Sequence, residues 1–282
     1  MGAFIVKQDF RLTGVQTESA FFRFEERNEF DPEPVMDVLR GRRLGVIFRD
    51  AIPEDAKKET VARFWSSPGL LRRDGEPSYC IGSYHWNKST ESYLKDAATT
   101  ADAVLPLLDV PHSPWRSFRS AMAEELARYG ASIRIAEHEG EPAGAALIRA
   151  WDKEGSFALD PHEDEAQCTD PRQAGFEIQR AADYEICAVN MCVQQGDGGR
   201  LVVWNIRPDD DSRTSLGIQH TGFSYPAATL EPFDAIQLDV RSGDVYVFNG
   251  RHVHAVDACK GHRTNVSFLM GFVDERTVVT WT

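Results

Sequence analysis

The sequence predicts a mainly β fold with helices: a double-stranded β-helix (jelly roll, cupin-like) packed against a helical N-terminal half. Eight short runs rich in β-branched and aromatic residues crowd the chain after Gly130. Turn-forming strings such as EGEPAG, QGDGG, RPDDDS and RSGD punctuate them, and no strong helical periodicity lies between them. Strands alternating with helices would imply a parallel βαβ sheet, whereas strands alternating with turns imply an antiparallel barrel. The 282 residues contain no repeat, low-complexity tract or long flexible linker. They read as one domain over 1–282, with 1–130 as N-terminal arm and helical support and 131–282 as the β core.

Residues 1–43 mix aromatics with charges and are expected to lie as an arm over the fold. LGVIF at 44–48 is a short β-rich run, and residues 50–53 lead into a helix-like stretch ending near Trp65. The string CIGSYHWNKSTESY at 80–93 is polar and aromatic, as a loop over a site would be. The clearest helix spans 114–129. Ser113 can cap it, Pro114 suits its first position and Gly130 can end it. Trp115, Phe118, Met122, Leu126 and Tyr129 recur at three- and four-residue spacing, an apolar stripe assigned to packing. The strand-like runs that follow are SIRIAEH, AALIRAW, GSFALD, EICAVNMCV, RLVVWNI, AIQLDV, DVYVFNG and RTNVSFLMGF.

Composition narrows the function classes. With 42% hydrophobic and 27% charged residues the chain has the profile of an ordinary soluble protein. No apolar run reaches the ~18 residues of a membrane helix. The start lacks the pattern of a secretory leader, and Gly2 lacks the context of a myristoylation site. The expected location is cytoplasmic. A net charge of −13 disfavours nucleic acid and anionic membranes as partners and leaves a small molecule, neutral or cationic by this argument. The five cysteines contain no C-x-x-C pair, so they read as reduced thiols rather than a disulfide framework or zinc knuckle.

The candidate chemistry lies in two segments. His162 and Asp164 flank Glu163 just after the run SFALD. In an extended chain residues i and i+2 share a face, so His162 and Asp164 can converge on one ion while Glu163 points away. A distant histidine would complete two histidines and a carboxylate, leaving open positions on a non-haem iron. His252 and His254 both follow the run DVYVFNG, and strand phase alone does not choose between them. In GHRTNVSFLMGF, alternation places Val266, Phe268, Met270 and Phe272 on one face and Arg263, Asn265 and Ser267 on the other. An arginine facing a barrel interior is costly unless it meets an anion, and its fork suits a carboxylate.

With these residues in view, the sequence resembles the Fe(II)/2-oxoglutarate-dependent dioxygenases, whose signature is H-x-D/E, a distal histidine and a later arginine. The matching residues are His162-Glu163-Asp164, His254 and Arg263. The phrase FNGRHVHAV followed by GHRT is similar to the family's distal-histidine segment and favours His254 over His252. The stretch GDGGRLVVWN at 196–205 resembles the strand between the two ligand segments. Two further stretches, RLGVIFRDAIPEDAKKETVARFW and GGRLVVW, resemble a branch with cyanobacterial indole-alkaloid carbon halogenases and bacterial amino-acid hydroxylases. Such halogenases carry glycine or alanine at the carboxylate ligand. This chain has Asp164, so the resemblance implies hydroxylation instead. It also implies Fe(II) held by His162, Asp164 and His254, and 2-oxoglutarate chelated through its keto acid, with its distal carboxylate on Arg263 and Asn265 or Ser267 assisting. O₂ would be consumed, succinate and CO₂ released, and a C–H bond of an amino acid, an amino-acid derivative or a natural-product intermediate hydroxylated.

Other polar residues receive plainer readings. His85, His112, His138, His220 and His262 are taken as surface or structural, and His252 as a neighbour of the ligands or a packing residue. Asp170 and the acids at 209–211 read as solvated loop residues. Trp204 reads as core, and Asn205 as a candidate ligand contact only in second place. Tyr84, His85 and Trp86 fit either a lid or aromatic packing. Two competing functions stand beside the oxygenase. A cupin-like isomerase or hydrolase without 2-oxoglutarate leaves Arg263 without a purpose, and a non-catalytic β-barrel binder leaves the histidines incidental.

Overall fold

The computed structural model describes residues 10–73 and 77–282, so the first nine residues of the expected arm, Gly2 among them, lie outside it. The β core consists of two facing antiparallel four-strand layers. In the larger, the order is Val245–Asn249, Ile186–Gln194, Cys259–Asp274, Leu147–Lys153. In the smaller, it is Leu159–His162, His254–Val256, Leu201–Trp204, Ala235–Leu238. Successive strands alternate between the layers except at Leu201–Trp204 and Ala235–Leu238, which pair with each other in the smaller one, the winding of a jelly roll. Seven of the eight expected runs supply barrel strands, and the short His254–Val256 supplies the eighth. SIRIAEH stays outside the barrel: Ser132–Ile135 pairs in parallel with the C-terminal strand Thr277–Trp281.

Four helices precede the core: α1 (Pro32–Leu39), α2 (Glu54–Ser66), α3 (Thr90–Leu108) and α4 (Pro114–Arg128). Helix α4 begins as its sequence predicts, with Ser113 Oγ accepting from Arg116 N at 3.2 Å. Gly130 follows its end at φ 69°, a conformation that glycine adopts without penalty. Phe118, Met122 and Leu126 are buried against the larger sheet, whereas Tyr129 leaves the stripe and lies under Arg40 at 4.3 Å. Two helices escaped the periodicity. Helix α3 has small or polar residues through its middle, so its apolar contacts cluster at the ends (Tyr93, Leu94, Val104, Leu107, Leu108). Helix α1 is only eight residues long, started by Pro32 after the Asp31 cap.

The described part of this segment, residues 10–43, is therefore more than an arm. Phe24–Arg27 extends the larger sheet in parallel with Gly45–Phe48, and Tyr79–Ile81 extends it on the opposite side beside Leu147–Lys153. The long strand Cys259–Asp274 is buried on both faces. Val266, Phe268 and Met270 pack towards the helices, while the alternate positions turn to the barrel interior. All five cysteines are free and buried. Among the described residues, no helix is long and apolar enough to cross a membrane.

Candidate active site

His162 ends one strand of the smaller sheet and stands opposite His254, which begins the neighbouring strand. Their ring centroids lie 4.2 Å apart. Asp164 lies just beyond the first strand, where its N–H donates to the Gly250 carbonyl at 2.8 Å. Gly250 also makes room for the carboxylate. A Cβ there would come within 3.1 Å of the Asp164 Cβ and Cγ. Donor atoms of His162, Asp164 and His254 all lie within 4.8 Å of one another.

Three details fit this trio to a metal ion. Each ring is oriented through Nδ1, His162 towards the Asp160 carbonyl at 2.8 Å and His254 towards the His252 carbonyl at 2.9 Å. A carbonyl only accepts, so Nδ1 carries the proton and Nε2 keeps its lone pair. Burial, with the adjacent His254 ring, pushes His162 down to about 3, and burial pushes His254 down to about 4, so both rings are neutral at pH 7. On Asp164, Oδ1 accepts from Gln167 Nε2 at 2.8 Å. Its buried Oδ2 has no hydrogen-bond partner and lies 3.6 Å from His254 Nε2. A buried carboxylate oxygen without a partner is costly, and a cation removes that cost. This donor set, two imidazoles and one carboxylate, suits a non-haem iron.

Glu163 points away, as strand phase requires, and is fully buried. It accepts from Glu165 N, Ala166 N and Arg213 Nε at 2.6, 3.0 and 3.2 Å. His252 is set apart from His254 although only two residues separate them. It precedes the strand, and its ring stacks on Phe21 at 5.7 Å.

Arg263, Asn265 and Ser267 all face a cavity of about 270 Å³ that also contains the trio. Arg263 is fully buried, donating through Nη1 to the Gly199 carbonyl and through Nη2 to Tyr246 Oη at 2.6 Å. No carboxylate of the described residues pairs with it, and its Nε has no partner. Asn265 Nδ2 donates to the same Tyr246 oxygen at 2.9 Å. Ser267 turns elsewhere, donating to the Leu147 carbonyl at 3.0 Å and accepting from Arg149 Nη2 at 3.1 Å. Sequence reasoning missed Tyr246 and Arg149. Alternation in DVYVFN put Tyr246 and Phe248 on one face, and the signal was there to be read. Arg149 had none, because only the pairing of its strand with Cys259–Asp274 brings it opposite Asn265.

Tyr84, His85 and Trp86 all line the cavity. Trp86 is fastened by Nε1 to the Thr221 carbonyl at 2.9 Å, and its ring lies 5.6 Å from Phe223, which in turn lies 5.8 Å from His162. His85 is structural and buried. Its Nε2 accepts from Trp281 Nε1 at 3.2 Å, its Nδ1 faces Gln173 Oε1 at 3.1 Å, and burial holds it down to about 4. Two readings need correction. Asp170 is buried, not solvated, because it caps a short helical turn at Arg172 N (2.9 Å) and pairs with the Arg172 side chain. Asn205 does not reach the cavity but binds the backbone of Thr17. The net charge also misleads locally. The described residues lining the cavity include Arg73, Arg149 and Arg263 but a single acid, Asp164, so the site itself favours anions.

Comparison with known proteins bears on the family and the fold. The family described as carrier-protein-independent halogenase WelO5 matches residues 25–281. L-isoleucine 3(1)-dioxygenase of Pantoea ananatis (strain AJ13355) is 29% identical over 207 residues, 72% of this chain and 69% of that protein. A solved N-substituted L-amino acid dioxygenase from Burkholderia ambifaria AMMD superposes with a TM-score of 0.58 at 16% identity, covering 88% of this chain and 90% of that one. The same enzyme in complex with α-ketoglutarate superposes with a TM-score of 0.56 over the same shares. These two structures share the fold.

Proposed function

The chain belongs to the carrier-protein-independent WelO5 halogenase family, within the iron- and 2-oxoglutarate-dependent oxygenases, and from that premise we propose that it is a hydroxylase. Its substrate is a small molecule, an amino acid, an amino-acid derivative or a natural-product intermediate, and the bond attacked is an unactivated C–H. The relatives that act on L-isoleucine and on N-substituted L-amino acids support that class. The whole chain, 1–282, works as one domain in this reading, with the helices of 32–128 supporting the β core. Free, buried cysteines fit a reducing cytoplasm.

The observation that carries the reading is Asp164. Halogenases of the kind this sequence resembles lack a carboxylate at that position. Here one is present, its Oδ1 accepting from Gln167 and its residue's backbone N–H donating to the Gly250 carbonyl, with the other oxygen free towards His254. His162, Asp164 and His254 would hold the iron. Bound iron and 2-oxoglutarate together supply the oxidising power of O₂, the cosubstrate leaving as succinate and CO₂. The protein's own part is positional. The backbone carbonyls of Asp160 and His252 aim both imidazoles, burial keeps them neutral, and Arg263 with Tyr246 and Asn265 offers an unpaired cation and polar seat to a distal carboxylate. Trp86 and Phe223 form an apolar wall beside His162 that can exclude water from the substrate C–H.

The test is anaerobic addition of Fe(II) and then 2-oxoglutarate to the metal-free protein, read by the visible charge-transfer band of the chelate. The wild type and His252→Ala should show the band. His254→Ala should lose it, and Arg263→Ala should need far more 2-oxoglutarate. Tight Fe(II) binding without a band in the wild type would overturn the reading. With a panel of amino acids and N-acyl amino acids, the expected product gains one oxygen and no chlorine even in chloride buffer.

A further inference from the structure

His162 and Asp164 are two residues apart, yet they are held against His254 in different ways. His162 belongs to the strand pair, directly opposite His254, and the pairing ends there. Asp164 lies past that end, on a segment joined to the other ligand segment by the main-chain bond from its N–H to the Gly250 carbonyl at 2.8 Å. A binding constellation must hold its geometry to within about 0.5 Å, which one hydrogen bond beyond a strand's end does not secure.

The next residue along each segment adds a second rung. Glu165 Oε1 accepts from Nη2 of Arg251, the neighbour of Gly250. Glu165 Oε2 accepts from Arg213 Nη2 at 2.7 Å, and Arg213 Nε reaches Glu163 Oε1 at 3.2 Å. Arg251 is anchored in turn, donating through Nη1 to the Tyr184 carbonyl at 2.9 Å and through its backbone N–H to Asn249 Oδ1 at 3.0 Å. The side chains of Glu165, Arg213 and Arg251 are 13%, 6% and 18% exposed, so solvent and salt screen the cluster little. None of the three lines the cavity. They reach the metal position only through the ligand segments that they join.

We propose that Glu165 and Arg251 are positioning residues: their ion pair, steadied by Arg213, locks the Asp164 segment to the His254 segment and so sets the affinity of the metal centre. The inference rests on the metal-binding part of the hydroxylase reading and goes beyond it to residues outside the cavity. The sign of the effect separates a brace from a charge acting through space. Through space, loss of the Arg251 cation would tighten metal binding by removing a repulsion, and loss of the Glu165 anion would weaken it. A brace weakens binding whichever member is lost.

The experiment titrates Fe(II) and Co(II) anaerobically into the metal-free full chain, with Kd read by calorimetry and the ligand geometry by the visible bands of Co(II). Residues that orient metal ligands change metal affinity by about ten- to a hundredfold when replaced. Arg251→Met and Glu165→Gln should each raise Kd by about tenfold or more. The double variant should bind no worse than the poorer single one, because one interaction has been removed twice. Arg251→Lys, which keeps the charge but not the fork, should fall between the wild type and Arg251→Met. The Co(II) bands should shift in Arg251→Met. Arg49→Met is the stability control: it breaks a pair of similar burial with Asp244, at the far end of the strand that leads to Gly250, and should lower Tm while leaving Kd and the Co(II) bands unchanged. An Arg251→Met Kd equal to or below that of the wild type, or an equal rise in Arg49→Met, would overturn the proposal. Should Arg251→Met fail to fold, Arg251→Lys decides, since a charge acting through space leaves its Kd at the wild-type value and a brace raises it. A wild type that binds neither ion would instead bring down the metal centre, and the hydroxylase reading with it.

Discussion

Tyr246→Phe isolates the polar seat from the packing around it. The ring is buried and stacks on Phe248 with centroids 6.3 Å apart and planes 11° apart, and phenylalanine keeps that contact. Only the hydroxyl is lost, and with it the common acceptor of Arg263 Nη2 at 2.6 Å and Asn265 Nδ2 at 2.9 Å. Each buried donor left without an acceptor costs about 1–3 kcal/mol. Water entering the cavity can satisfy part of this, so the expected loss is at the lower end, about 2–4 kcal/mol in all. For a chain of this size that is a fall in Tm of about 3–7 °C. Thermal unfolding of the metal-free protein, followed by circular dichroism, measures it, and the chelate band should show weaker 2-oxoglutarate binding in the same variant. A Tm and a 2-oxoglutarate affinity both equal to those of the wild type would refute the reasoning, because the hydroxyl would then have no part in seating Arg263.

Gly250→Ala should cripple metal binding while leaving the fold in place, because the new methyl group collides with the Asp164 carboxylate; Fe(II) titration and circular dichroism separate the two effects. Asp164→Gly should abolish hydroxylation and weaken Fe(II) binding by an order of magnitude or more, since it removes an anionic ligand, as product analysis and metal titration would show. His85 is held neutral at about 4, below the usual 6.5 of the unfolded chain. As pH falls from 6.5 towards 4 the unfolded state takes up a proton that the folded state refuses, so this residue's contribution, about 3 kcal/mol, is present above 6.5 and lost across that window. Urea unfolding of the wild type and His85→Gln at pH 7 and pH 4.5 should show a flatter pH dependence in the variant.

Much of the site was legible because it follows strand arithmetic. His162 and Asp164 emerge on one side and Glu163 on the other, and Arg263, Asn265 and Ser267 share the interior face of one strand, because side chains alternate with period two. The barrel was legible for the same reason, as short strands bounded by turn residues. Helix α3 was not, since apolar residues gathered at its ends carry little period. Nor was the burial of Asp170, which depends on the turn it caps.

By itself, then, the sequence determined the local quantities: which residues share a face, where strands stop, which helix begins at Ser113. Tertiary structure decided what lies across from what. Strand phase could not separate His252 from His254; the chain turns before the strand begins, sending one ring onto Phe21 and the other against His162. Arg149 joins the cavity opposite Asn265 only because its strand pairs with Cys259–Asp274 in one register, and Tyr246 meets Arg263 only across the sheet. Register between strands far apart in the chain is set by the packing of the whole core, and a slip of one residue would turn every one of these side chains to the opposite face.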